Sequence, residues 1–124
     1  IDKFSALPNG AILCYPVIDV TDKFGHVGSG QNLLGEKYKY EENYFSLQHR
    51  VTDKTPKCFL WHTSDDGGVN VKNSLVFAER LRDHGIQFEM HIYPHGAHGL
   101  GLAEGTPDVS QWANQAADWV LRNI

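Results

Sequence analysis

Two short polar clusters hold most of the reactive side chains in this 124-residue sequence. The first, HTSDDGGV (residues 62–69), carries a histidine and two adjacent carboxylates. The second, YPHGAHGLGLA (residues 93–103), carries two histidines among three glycines, with His91 just upstream. A carboxylate meeting an imidazole is what a general base needs. The acid fixes the ring's tautomer and stabilises the imidazolium that forms when the ring takes a proton. The glycines on either side of Ala97 and His98 let the chain turn sharply and present the His98 ring. Metal binding is the competing chemistry, because His91, His95 and His98 are spaced by four and three. That spacing suits a helix face, whereas Pro94 and Gly96 make the segment strand and turn, so the rings are not expected to converge on an ion. Neither a metal nor a cofactor is expected.

These clusters need elements to bring them together. AILCYPVI (residues 11–18) and KCFLWHT (57–63) are nearly unbroken apolar runs that follow turn-formers, the pattern of strands covered on both faces. FEMHIYP (88–94) alternates, with Phe88, Met90 and Ile92 set against Glu89, His91 and Tyr93. Between the second and third runs, Val71, Leu75, Ala78 and Leu81 recur at helical spacing, and Gly85 is placed to end the helix. A last amphipathic helix is read from Val109, Trp112, Ala113, Ala116 and Val120, with Thr106 or Asp108 as its cap. Strands alternating with helices in this way indicate an α/β fold of parallel βαβ units. In such sheets ligands bind at the carboxyl ends of the strands, where both polar clusters fall, in loops expected to lie side by side. Residues 19–55 are too many for an ordinary connection. They are read as a cap-like insertion with short helices in GQNLLGEKY and YEENYFSLQHRV.

The bulk numbers remove other classes. The formal net charge is −4 and the basic residues are scattered, so no clustered Lys/Arg footprint for nucleic acid exists. No apolar run approaches the roughly 20 residues of a membrane-spanning helix. Cys14 and Cys58 lie inside apolar runs and read as buried, reduced thiols. Trp61 and Trp112 read as core, and Tyr38, Tyr40, Tyr44 and Phe45 as cap packing or a pocket wall. His62 is expected to hydrogen-bond to the loop beside it, His91 to be structural, and His95 to be an exposed bystander. Ser74 reads as a helix-packing residue.

FLWHTSDDGGVNVKNSLVFAERLRDHGIQFEMHIYPHGAHGLGLA (residues 59–103) resembles the C-terminal half of an α/β-hydrolase of the acetyl-esterase/acetyl-xylan-esterase kind. There a strand ends in His-Thr-x-x-Asp-x-x-Val-Pro, Asn-Ser-Leu follows on a helix, and a glycine-rich turn after the next strand carries His-Gly-Phe/Leu. AILCYPVID and the connecting segment are similar too, so the likeness runs from Ala11 onward. By frame with Val69 it implies a catalytic acid at Asp66, with Asp65 the alternative, and a base at His98. Asn70 stands where that family usually has proline; both residues suit a helix start.

The family's nucleophile sits on a Gly-x-Ser-x-Gly elbow. None of the six serines here (Ser5, Ser29, Ser46, Ser64, Ser74, Ser110) lies in such a pentapeptide. The chain opens at Ile1 and its single methionine is Met90, so residues 1–124 are expected to be the C-terminal portion of one hydrolase domain. The serine and oxyanion hole would then belong to an N-terminal segment. The implied activity is serine-dependent hydrolysis of acetyl or other short-chain esters, with carbohydrate esters among the candidates. One alternative is a peptidase of the prolyl-oligopeptidase type. Another is a non-catalytic α/β module that self-associates into a homo-oligomer through an exposed sheet edge. The expected partners are a small-molecule ester and the N-terminal segment of the same domain, with no nucleic acid and no membrane.

Overall fold

The computed structural model describes residues 6–124. Three parallel strands, β1 (Gly10–Cys14), β2 (Lys57–Thr63) and β3 (Phe88–Tyr93), lie side by side in chain order. Ala11 pairs with Cys58, and Leu60 pairs with Met90. β1 is shorter than the apolar run from 11 to 18. Tyr15 still donates its N–H to the Trp61 carbonyl at 2.8 Å, but its φ of 37° turns the chain away. Pro16, which has no N–H, could not continue the ladder.

Side chains of β2 alternate between two apolar cores. Cys58 and Leu60 face Ile18, Val51, Phe77 and Leu81 on one side. Phe59 and Trp61 face Tyr93, Val109, Ala116 and Trp119 on the other. Beyond α1 (Val27–Leu34) and α2 (Tyr38–Phe45), which lie between β1 and β2, a helix covers each face: α3 (Lys72–Asp83) and α4 (Trp112–Asn123). Coverage on both faces is why β2 reads as an unbroken apolar run. Each large side chain removed from water in this way contributes about 1.5–3 kcal/mol.

α3 buries Asn73, Ser74, Phe77, Ala78 and Leu81, while Leu75 is exposed, so its core face is rotated from the stripe expected through Leu75. Its start is closed by Asn70, whose Oδ1 accepts from the Lys72 N–H at 2.9 Å. Its end falls at Gly85, at φ 69°. Neither Thr106 nor Asp108 caps α4 with its side chain. A 3₁₀ turn (Val109–Gln111) runs straight into the helix instead, and Asp108 is held at φ 64° before it. The alternation expected in β3 also fails at its end, where Tyr93 is buried and Ile92 exposed.

Residues 19–55 contain α1 (Val27–Leu34), α2 (Tyr38–Phe45) and two 3₁₀ turns. The Tyr38 hydroxyl closes the segment on itself by donating to the Val20 carbonyl, and Asn73 of α3 holds its start by accepting from the N–H groups of Ile18 and Asp19. Cys14 and Cys58 are free thiols on neighbouring strands, and burial pushes the Cys58 thiol up to about 11. No described helix is long and apolar enough to cross a membrane.

Candidate active site

The loops after β2 and β3 meet at the carboxyl end of the sheet and are clipped together. Ser64 donates its N–H to the Tyr93 carbonyl at 2.8 Å and its hydroxyl to the Pro94 carbonyl at 2.7 Å. The Thr63 hydroxyl donates to the Gly96 carbonyl at 2.6 Å. A Cβ on Gly96 would lie 2.8 Å from Thr63 Cγ2, so this approach needs glycine. Gly99 (φ 85°) and Gly101 (φ 58°) then turn the second loop back past Tyr15, whose hydroxyl accepts from the Gly101 N–H.

Within this frame Asp66 turns toward His98. His98 Nδ1 lies 2.9 Å from Asp66 Oδ2, while Asp66 Oδ1 accepts from the N–H groups of Gly68 (2.8 Å) and Val69 (2.9 Å). The Asp66 side chain is 1% exposed and that of His98 37%, so the acid is sealed and the ring is open to the surface. Burial pushes the Asp66 carboxyl up, but the Val69 N–H, His98 and the Gly68 N–H together outweigh it. They hold the group below the usual carboxylate range, and so ionised at neutral pH. Gly68 is needed for the approach, because a Cβ there would stand 2.9 Å from His98 Cβ.

The neighbouring carboxylate does something else. Asp65 accepts from His95 Nδ1 at 2.9 Å and from the Gly96 N–H at 2.9 Å, a surface pair whose histidine is 86% exposed. Two aspartates adjacent in sequence therefore engage two different histidines, and neither caps α3. His91 binds Glu89 at 3.0 Å. The three histidines at spacings of four and three thus face three different carboxylates.

Two participants were not legible as such in the sequence. His62, expected to bond the adjacent loop, does so at the Val69 carbonyl (2.9 Å). It also lies 3.2 Å from Asp66 Oδ2 and 2.8 Å from the Ser74 hydroxyl, wholly buried. Burial holds its imidazole below the usual range, against the upward pull of the Val69 carbonyl and Asp66. Tyr15 belongs to no motif; its ring packs edge-on against His98 with centroids 4.8 Å apart, and against Trp61 at the same separation. The available signal was its place at the end of an apolar strand, on the side where ligands bind.

The arrangement can accept a proton at His98 Nε2, with the opposite nitrogen tied to a buried anion. Ser29, Ser46, Ser64 and Ser74 bond respectively to His26, the Glu42 carbonyl, the Pro94 carbonyl and His62, and no described serine bonds to His98.

Comparison with known proteins gives consistent relatives. The sequence model of the prolyl oligopeptidase family matches residues 10–124. An acetylxylan esterase of Xylanibacter ruminicola is 30% identical over 97% of this chain, and endo-1,4-beta-xylanase B of Butyrivibrio fibrisolvens is 46% identical over 80% of it. Among solved structures, the acetyl ester-xyloside bifunctional hydrolase of Caldicellulosiruptor lactoaceticus superposes with a TM-score of 0.86 at 49% identity, over 90% of this chain. The carboxylesterase Cest-2923 of Lactobacillus plantarum gives 0.79 at 26%, over 98%. This chain spans 26% and 16% of the two curated relatives and 41% and 46% of the two solved chains.

Proposed function

This chain belongs to the prolyl oligopeptidase family and has the α/β-hydrolase fold, and from that premise we propose that it carries the acid and base of a serine-dependent carboxylic ester hydrolase. The single observation that carries the reading is the 2.9 Å bond between His98 Nδ1 and a sealed, multiply bonded Asp66. A ring anchored in this way offers Nε2 to a serine hydroxyl. His98 takes that proton as the serine oxygen attacks the ester carbonyl, and Asp66 stabilises the imidazolium. His98 then protonates the departing alcohol, and water repeats the cycle on the acyl-enzyme. The nucleophile in this proposal comes from outside residues 1–124, because the sequence lacks the Gly-x-Ser-x-Gly elbow. Residues 19–55 would lie over the site as a cap.

Acetyl and other short acyl groups are the proposed substrates, with carbohydrate alcohols as leaving groups. The relatives named as an acetylxylan esterase and an acetyl ester-xyloside hydrolase support this choice. The test is hydrolysis of p-nitrophenyl acetate and acetylated xylo-oligosaccharides by a protein that adds the elbow-bearing sequence to this chain. His98→Ala should then cost about a thousandfold or more in kcat. Residues 1–124 alone should turn over negligibly; full activity in that chain, or an unaffected His98→Ala variant, would sink the proposal.

The family match favours a second reading, a serine peptidase using the same pair. Cleavage of prolyl anilides in preference to acetyl esters would select it. Concentration-dependent oligomers without either activity would select the non-catalytic module.

A further inference from the structure

We infer that His62 is a positioning residue for the proposed acid–base pair, an inference that rests on the reading of Asp66 and His98 above. Its Nε2–H, given to the Val69 carbonyl, also lies against the second carboxylate oxygen of Asp66 at 3.2 Å, and so holds that oxygen toward His98.

Asp66 Oδ1 is caught by two backbone N–H groups, from Gly68 and Val69. The carboxylate is a rigid plane, so its two oxygens turn together about a terminal torsion that is broad and soft, and a second hold on the Oδ2 side narrows that torsion. His62 stands where it supplies that second hold. Its Nε2 lies 3.2 Å from Asp66 Oδ2 and 2.9 Å from the Val69 carbonyl, and both can only accept. The ring must therefore carry a proton on Nε2. Nδ1, 2.8 Å from Ser74 Oγ, is then left to accept the serine's proton. His62 and Ser74 are both fully buried, so no bulk water competes for either nitrogen.

The resulting relay of contacts starts on α3 at Ser74, crosses the end of β2 at His62, enters the first loop at Asp66 and ends on the second loop at His98. A neutral His62 matters to it. A cationic ring would pair with Asp66 and weaken the carboxylate's hold on His98, and burial opposes that charge. No step of ester hydrolysis moves the His62 proton; the residue acts only through Asp66.

The test uses the full chain with 15N-labelled histidine. Imidazole nitrogen shifts should show His62 protonated at Nε2 and unprotonated at Nδ1, and the His98 Nδ1–H should give a slowly exchanging low-field proton. His62→Gln retains an N–H close to the original Nε2, while His62→Met retains bulk without a donor. The low-field proton should persist in His62→Gln and be lost in His62→Met, with far-UV circular dichroism unchanged in both. In the ester-hydrolysing protein, His62→Met should lower kcat about tenfold to a hundredfold with little change in KM, and His62→Gln should recover most of it. If His62→Met does not fold, Ser74→Ala carries the test, since it frees Nδ1 and should weaken the same proton signal.

A His62 protonated at Nδ1, or a low-field proton identical in wild type and His62→Met, overturns the inference while leaving the ester reading intact. The expected proton pattern in a protein that hydrolyses no ester defeats the ester reading and leaves the placement of Asp66 by His62 standing.

Discussion

Replacing Asp66 by asparagine changes almost no volume and one pattern of charge, which makes it a sharp probe of the site. The carboxylate accepts from three groups, Gly68 N–H, Val69 N–H and His98 Nδ1, and His62 Nε2 stands 3.2 Å from its second oxygen. An asparagine oxygen can keep the two backbone donors, which have no alternative. Its NH2 must then face His98 Nδ1 and His62 Nε2, donor against donor. His98, on the open side of the site, can move its proton to Nε2 and accept. His62 cannot, because its Nε2–H also serves the Val69 carbonyl. The charge-assisted bond to His98 gives way to a neutral one and the attractive contact with His62 turns repulsive, at about 1.5–3 kcal/mol for the first and less for the other. We expect a destabilisation of about 2–4 kcal/mol at pH 7, read by urea unfolding, with a fall in Tm on the order of 10 °C.

The pH dependence follows in sign. The folded Asp66 carboxyl lies below its ordinary value, so its contribution is present above about pH 3.9 and lost as the pH falls through the folded value. The gap between wild type and Asp66→Asn should therefore narrow on acidification below pH 4. In a protein that supplies the serine, the forced tautomer leaves His98 Nε2 already protonated and should cost about 10⁴ in kcat. Equal stability at pH 7, or a gap that widens in acid, refutes the reasoning.

Other measurements probe neighbouring parts of the argument. Gly68→Ala places a methyl 2.9 Å from His98 Cβ and should destabilise by about 1–3 kcal/mol, whereas Gly67→Ala, with open space around it, should leave the urea midpoint unchanged. Leu81→Ala should cost about 2–5 kcal/mol and Leu75→Ala under about 0.5, because α3 buries the first and exposes the second. His62 sits below its ordinary value when folded. Its contribution is full above about pH 6.5 and falls away on acidification through the folded value, so wild type should lose more stability than His62→Gln between pH 6.5 and 5.

The sequence alone carried the α/β class, the three parallel strands, α3 with its stop at Gly85, and the short helices within residues 19–55. These rest on local rules: apolar runs where a strand is covered twice, a 3.6-residue stripe, glycine where φ must be positive. The likeness to esterases and the frame around Val69 single out Asp66 and His98, two side chains that lie 2.9 Å apart. Where one local rule stood alone it misled. Leu75 matched the helical stripe and is exposed, and Asp108 had the chemistry of a cap and instead sits at φ 64° before a 3₁₀ turn.

What only the tertiary structure decided was which neighbour each polar group would take. Asp65 and Asp66 are adjacent and chemically identical in sequence. Successive residues of a loop point in different directions, and the way Ser64 and Thr63 clip the second loop sends one to His95 and the other to His98. The second loop also runs back past Tyr15, whose ring packs against His98 from β1, and His62 sits under the acid because β2 ends there and α3 brings Ser74 to its far side. Apart from His62 and Asp66, four positions apart in the chain, those contacts join residues 12 to more than 80 positions apart. Pairings over such separations depend on strand register and helix placement, which no local pattern encodes.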